Sequence, residues 1–235
     1  MPKYESIADV PLEVRKRYFQ IRYANKLMAI GRFYSRISLT IKERKKNRVL
    51  NDTIQTFKVG AERAKKKGNE CTQVLMNIGL FYLIAEKDIQ TVKIDALTHH
   101  DKWKRLLSLR VILLTIYEWD MGKASSKNLK DLLCRSSVDE ALQKELFLAL
   151  RLLRKSQGKA AKILHFERNS IIAHRDSDAL LQLNTIQSLN EKKVWAAAAE
   201  FYESSAIFMQ VFPKVMIQAG SAPGMFLFML NAKTN

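Results

Sequence analysis

The chain has 235 residues, with 40 Lys and Arg against 23 Asp and Glu, giving a formal net charge of +17 and a pI near 9.9. Such an excess favours a polyanionic partner, nucleic acid first, bound through a salt-sensitive positive field; a solvated basic surface is the plain alternative. A hydrophobic content of 47% excludes a wholly disordered chain, and 2 cysteines exclude a disulfide framework or thiolate zinc cluster.

Cys71 and Cys134 are therefore expected as small thiols in a reducing compartment. Residues 1–10 have no apolar core, and Pro11-Leu12-Glu13-Val14-Arg15-Lys16-Arg17 is charged, so a cytoplasmic location is expected. No membrane partner is expected either. Residues 194–218 carry Glu200, Glu203, Pro213 and Lys214, and the run Met225–Leu230 has 6 residues where a span needs about twenty.

With 8 Gly and 4 Pro and helical periodicity almost throughout, the expected class is all-α, in a single all-helical domain over 1–235. A long N-terminal helix is predicted from about Pro11 to Glu43, with Tyr18, Ile21, Met28, Phe33 and Ile37 recurring in i, i+3/i+4 register. The run Ile41–Arg48 then turns to charge, which reads as a solvated helix end or basic hinge or, alternatively, a phosphate contact. Asn51 or Asp52 would cap a second helix, ending at Lys65-Lys66-Lys67 before Gly68.

Core helices are predicted over Glu70–Glu86 and Lys102–Trp119. The loop between them holds Asp95, His99, His100 and Asp101, a mixture that suggests a transition-metal site. Adjacent histidines are expected to point apart and no second cluster completes a shell, so a polar loop is the better reading and no metal is expected. No Gly-rich phosphate loop, nucleophile elbow or His-Glu-x-x-His sequence occurs, and no cofactor is expected. Ser137-Val138-Asp139-Glu140 has the form of a capping box, which would start a helix at Val138 with Leu142, Leu146, Ala149, Leu150 and Leu153 facing the core.

That helix runs into Glu167-Arg168-Asn169-Ser170-Ile171-Ile172-Ala173-His174-Arg175-Asp176, which concentrates the chemistry of the chain. A guanidinium neutralises charge on phosphate oxygens, a histidine exchanges a proton near neutral pH, and an amide orients a ligand. Lys155, Lys159 and Lys162 on the approach, with Arg175, are candidate RNA contacts. Arg168 and His174 lie six residues apart, about 120° around a straight helix, so one helix does not converge them. Either the backbone bends near Asn169 or the site draws on two copies. Ser170 shares a face with His174, but a serine hydrolase also needs an oxyanion hole and an acidic orienter.

The phrase Arg-Asn-x-x-x-x-His-Arg-Asp resembles the defining motif of the HEPN superfamily. Ile116-Tyr117-Glu118-Trp119-Asp120, followed by Asn128-Leu129-Lys130-Asp131-Leu132-Leu133, is similar to the helix end and short helix found upstream in abortive-infection AbiU-type members. The resemblance implies an all-α, HEPN-like helical bundle with the core at 101–218, after N-terminal helices in 1–100 and before an apolar C-terminal tail at 219–235. It further implies a homodimeric, metal-independent endoribonuclease, a toxin or antiphage effector, accompanied by an antitoxin or regulatory protein. Arg168, Asn169 and His174 would be catalytic, with Asp176, Glu118 and Asp120 in support. Some members have lost activity, so a non-catalytic RNA-binding or protein-interaction subunit is the alternative.

After Asn190, a suitable cap, a last helix is predicted in which Val194, Trp195, Ala198, Phe201, Tyr202, Phe208, Met209 and Phe212 form an apolar face for the core or a dimer interface. Pro213 should kink or end it, and Gly220-Ser221-Ala222-Pro223-Gly224 should break it before the apolar tail.

Overall fold

The computed structural model describes residues 11–120, 128–167 and 179–220. Seven helices and no strand occur among them: α1 (Leu12–Lys66), α2 (Glu70–Thr98), α3 (Lys102–Glu118), α4 (Leu129–Arg135), α5 (Glu140–Glu167), α6 (Ala179–Ser188) and α7 (Glu191–Gly220). The all-α class is as expected.

Helix α1 is one helix of 55 residues, where two separated by a basic hinge were expected. Lys, Arg and Glu are good helix formers, and neither Gly nor Pro falls between Gly31 and Gly60. The charged run is also not simply solvated. Glu43 within it is buried, with its carboxylate 3.5 Å from Lys93 and 3.7 Å from Lys46. Asn51 and Asp52 consequently sit inside a helix and cap nothing.

The end of α1 is closed by a left-handed Gly68 at φ 67°, and Asn69 caps α2 by accepting from the Thr72 amide at 3.0 Å. The two helices then run antiparallel. Arg36 meets Asp95 at 2.8 Å, Asn47 accepts from Lys87 at 3.2 Å, and Gly79 lies against the Phe57 ring. Because Arg36 faces Asp95 about one turn before α2 ends at Thr98, residues 12–32 of α1 extend beyond it by about 32 Å at 1.5 Å per residue. The stripe Tyr18, Ile21, Met28, Phe33 and Ile37 lies on this extension and at its root, and all five side chains are exposed.

The core lies where α2, α3, α5 and α7 meet. Leu75, Ile78 and Ile89 of α2 join Leu106, Leu109, Ile112, Leu113 and Ile116 of α3, with Leu132 and Leu133 of α4 closing one side. From α7 come Val194, Ala198, Phe201, Phe208, Phe212 and Val215. Each of the Val, Leu, Ile and Phe side chains contributes roughly 1.5–3 kcal/mol when fully buried. Trp119, just past α3, stacks on Phe81 at 6.3 Å and meets Tyr82 and Phe201 edge-on at 5.5 and 5.2 Å.

Three local expectations change. Helix α5 starts at Glu140, capped by Asp139, whose Oδ1 accepts from the Ala141 and Leu142 amides at 2.8 and 3.1 Å. Ser137 instead adopts φ 52° in the turn after α4, so the cap falls two residues later than the capping-box reading put it. Helix α7 does begin after Asn190, which accepts from the Lys193 amide at 3.1 Å, but it runs through Pro213 to Gly220. Proline removes the hydrogen bond to the carbonyl four residues back and crowds that carbonyl, but Phe208, Val211, Phe212, Val215 and Ala219 hold the helix on the core across that gap. Finally, α2 continues to Thr98, which reduces the presumed loop to residues 99–101. The tail Met225–Leu230 lies outside the described residues.

Candidate functional site

Arg168, Asn169, His174, Arg175 and Asp176 lie outside the described residues. Helix α5, which ends at Glu167 immediately before Arg168, supplies the described part of the candidate site.

One face of α5 is buried: Leu146, Ala149, Leu153, Ser156 and Ala160 recur at intervals of three and four. Arg151, Lys155 and Lys162 are exposed on the opposite side, within an arc of about 40° at 100° per residue. No acidic residue interrupts 151–163. This stripe is a cationic ridge leading to the motif. Arg151 belongs to it, and its spacing of four before Lys155 was the sequence signal. Lys159 departs from the ridge, because its Nζ lies 2.6 Å from Glu200 Oε2 on α7. Of the proposed RNA contacts, Lys155 and Lys162 are therefore better placed than Lys159.

Glu118, the last residue of α3, and Asp120 lie beside α5, on a flank of that ridge. With Tyr117, Arg154, Gln157, Gly158 and Ala161 they line a groove of about 420 Å³. Gln157 fixes its floor. Its Nε2 donates to the Ile116 carbonyl at 3.0 Å and to the Trp119 carbonyl, two of the acceptors a helix leaves open at its C-terminus. The two acids thus share a groove with Arg154, and α5 rises about 9 Å from Ala161 to Glu167.

A second polar cluster joins α1, α2 and α7. Gln90 Nε2 donates to Glu86 at 2.7 Å, and Tyr82, Lys93, Tyr202 and Ser205 border the same cleft of about 460 Å³. Burial pushes the Glu86 carboxyl above its ordinary range and the Tyr82 hydroxyl up to about 12. Tyr202 is raised further by burial and by the neighbouring Glu86. These shifts disfavour charge at the junction.

The Asp95 and His99 group has structural employment. Asp95 pairs with Arg36, Asp101 caps α3 through the Trp103 amide at 2.9 Å, and His99 Nδ1 accepts from the Asp101 amide at 3.0 Å. The His99 and His100 rings stack at 4.5 Å, rather than pointing apart as expected. No metal-competent grouping of His, Cys, Asp and Glu occurs among the described residues, and no described helix is long and apolar enough to cross a membrane.

The chain matches no model of a known protein family, no curated protein and no solved structure.

Proposed function

We propose that this protein is a metal-independent endoribonuclease of HEPN type, a toxin or antiphage effector that works as a homodimer in the cytoplasm. The observation that carries the proposal is the run Arg168-Asn169-x4-His174-Arg175-Asp176, entered directly from a helix with a cationic outer face.

In this reading the ridge of Arg151, Lys155 and Lys162 holds successive phosphates, and binding weakens as salt rises. The ribose 2′-hydroxyl attacks the adjacent phosphorus, a P–O bond forms, and the 5′-oxygen leaves with a 2′,3′-cyclic phosphate behind it. His174 takes the hydroxyl proton or returns one to the leaving oxygen. Arg168 stabilises the charge that accumulates on the phosphorane, and Asn169 orients the phosphate. Asp176, with Glu118 and Asp120 from the end of α3, holds the imidazole or the guanidinium. An antitoxin or other regulatory protein silences the enzyme in its host.

The ridge by itself supports a second reading, a non-catalytic RNA-binding subunit of the same fold. His174→Ala separates the two: a nuclease loses cleavage while retaining salt-sensitive RNA binding, whereas a binding module shows no cleavage to lose.

A further inference from the structure

We infer that two copies of this chain associate through the projecting half of α1, in an antiparallel helix pair that crosses near Gly31. This inference stands on the exposed face of α1 and is independent of the RNA reading.

Tyr23, Leu27, Ile30, Tyr34, Ile37 and Ile41 follow one another at alternating steps of four and three, the spacing of a left-handed coiled-coil seam. Each is between 44% and 68% exposed, although Tyr23 stacks on Phe19 and Tyr34 meets Phe33 edge-on along the same helix. At roughly 200 Å² for a large side chain, the seam offers roughly 700 Å² per copy, close to the ~800 Å² per partner of a standard interface. A seam with this period fits another helix of the same period, and a second copy presents it by symmetry.

The antiparallel sense follows from the layers and the charge. Two-fold pairing sets Tyr23 against Ile41, Leu27 against Ile37 and Ile30 against Tyr34, so every aromatic ring meets an aliphatic side chain. On one flank the positions are Ala24, Gly31 and Ser38, small at each turn of the heptad, and nothing lies within 4 Å of the place a Gly31 Cβ would take. Gly31 then faces its own copy, where the two backbones approach most closely. Lys26 faces Thr40 on the other flank, so between residues 23 and 41 no like charges oppose one another across the seam. A parallel pair would instead set the strongly basic bodies of two chains, each of net charge +17 overall, side by side. A lipid surface fits less well, since Lys16, Arg17, Arg22, Lys26 and Arg32 are distributed around the helix rather than gathered on one polar face.

The test is sedimentation velocity on nuclease-treated, RNA-free full-length protein at 1 to 100 μM, comparing wild type with Ile30→Glu/Ile37→Glu and with Ile21→Glu on the opposite face. All three altered side chains are exposed, and far-UV circular dichroism verifies that each variant is folded. Wild type and Ile21→Glu should be dimers, and the double variant should self-associate at least ~100-fold more weakly. Oxidation of a Gly31→Cys variant in a Cys134→Ser background should give a covalent dimer, whereas Ala24→Cys alone should not. A monomeric wild type, a double variant that stays dimeric, equal dissociation by Ile21→Glu, or cross-linking through position 24 rather than 31 would each overturn the inference.

Discussion

Replacing Gly79 with alanine tests the pairing of α1 with α2. A Cβ at Gly79 would stand 2.0 Å from Phe57 Cε1 and 2.6 Å from Cδ1, whereas carbon contacts settle at ~3.5–4.0 Å. The ring must retreat by about 1.5 Å or the helices must part. Overpacking of this kind costs roughly 1–3 kcal/mol, set against about 1 kcal/mol gained when alanine replaces glycine inside a helix. The net expectation is a loss of about 1 kcal/mol. Gly158→Ala, on exposed α5 with nothing within 4 Å, is the control and should gain about 1 kcal/mol. The gap of about 2 kcal/mol corresponds to about 4–8 °C in Tm for a chain of this size. Guanidinium titration and thermal unfolding followed by circular dichroism both measure it. In a Phe57→Ala background the Gly79→Ala penalty should shrink by at least ~1 kcal/mol, because the ring atoms it strikes are gone. If Gly79→Ala stabilises as much as Gly158→Ala, α1 does not lie on α2 in this register.

Gln157→Met removes both hydrogen bonds to the end of α3, so it should destabilise by about 1–3 kcal/mol in the same titration; an unchanged midpoint would dissolve the link between α3 and α5. The raised Glu86 carboxyl means that, as pH rises from 4.5, the folded state keeps a proton the unfolded chain has released, so its contribution to stability falls through that window. Glu86→Gln should accordingly raise Tm at pH 7 more than at pH 4, and equal shifts at both would contradict the assignment. Lys155→Ala and Lys162→Ala should each lower the slope of log K against log salt for RNA by about 1. Lys159→Ala, already paired to Glu200, should change the slope less, and equal effects at all three would remove the ridge from the account.

Much of the fold was legible because local signals agreed with tertiary packing. The alternating apolar steps of α5, the cap at Asn190 and the stop at Gly68 each act within a few residues. The continuity of α1 was less legible: the charged run around Glu43 looks solvated until Lys93, fifty positions away, is brought beside it. Ser137 and Asp139 are both good caps, and only the left-handed turn at Ser137 decides between them. Gln157 carried no signal at all, since its partners lie 41 and 38 residues earlier in the chain. For the candidate site, sequence supplied the motif chemistry and most of the ridge. It missed the diversion of Lys159, which depends on a carboxylate from another helix.

The most direct test of the central claim is to incubate purified wild-type protein with total RNA in excess EDTA and map the chemistry of the new ends. The account predicts fragments ending in 2′,3′-cyclic phosphate, absent with Arg168→Ala and His174→Ala variants matched for oligomeric state and melting temperature. RNA left intact by the wild type, or cleavage that survives in either variant, would contradict it.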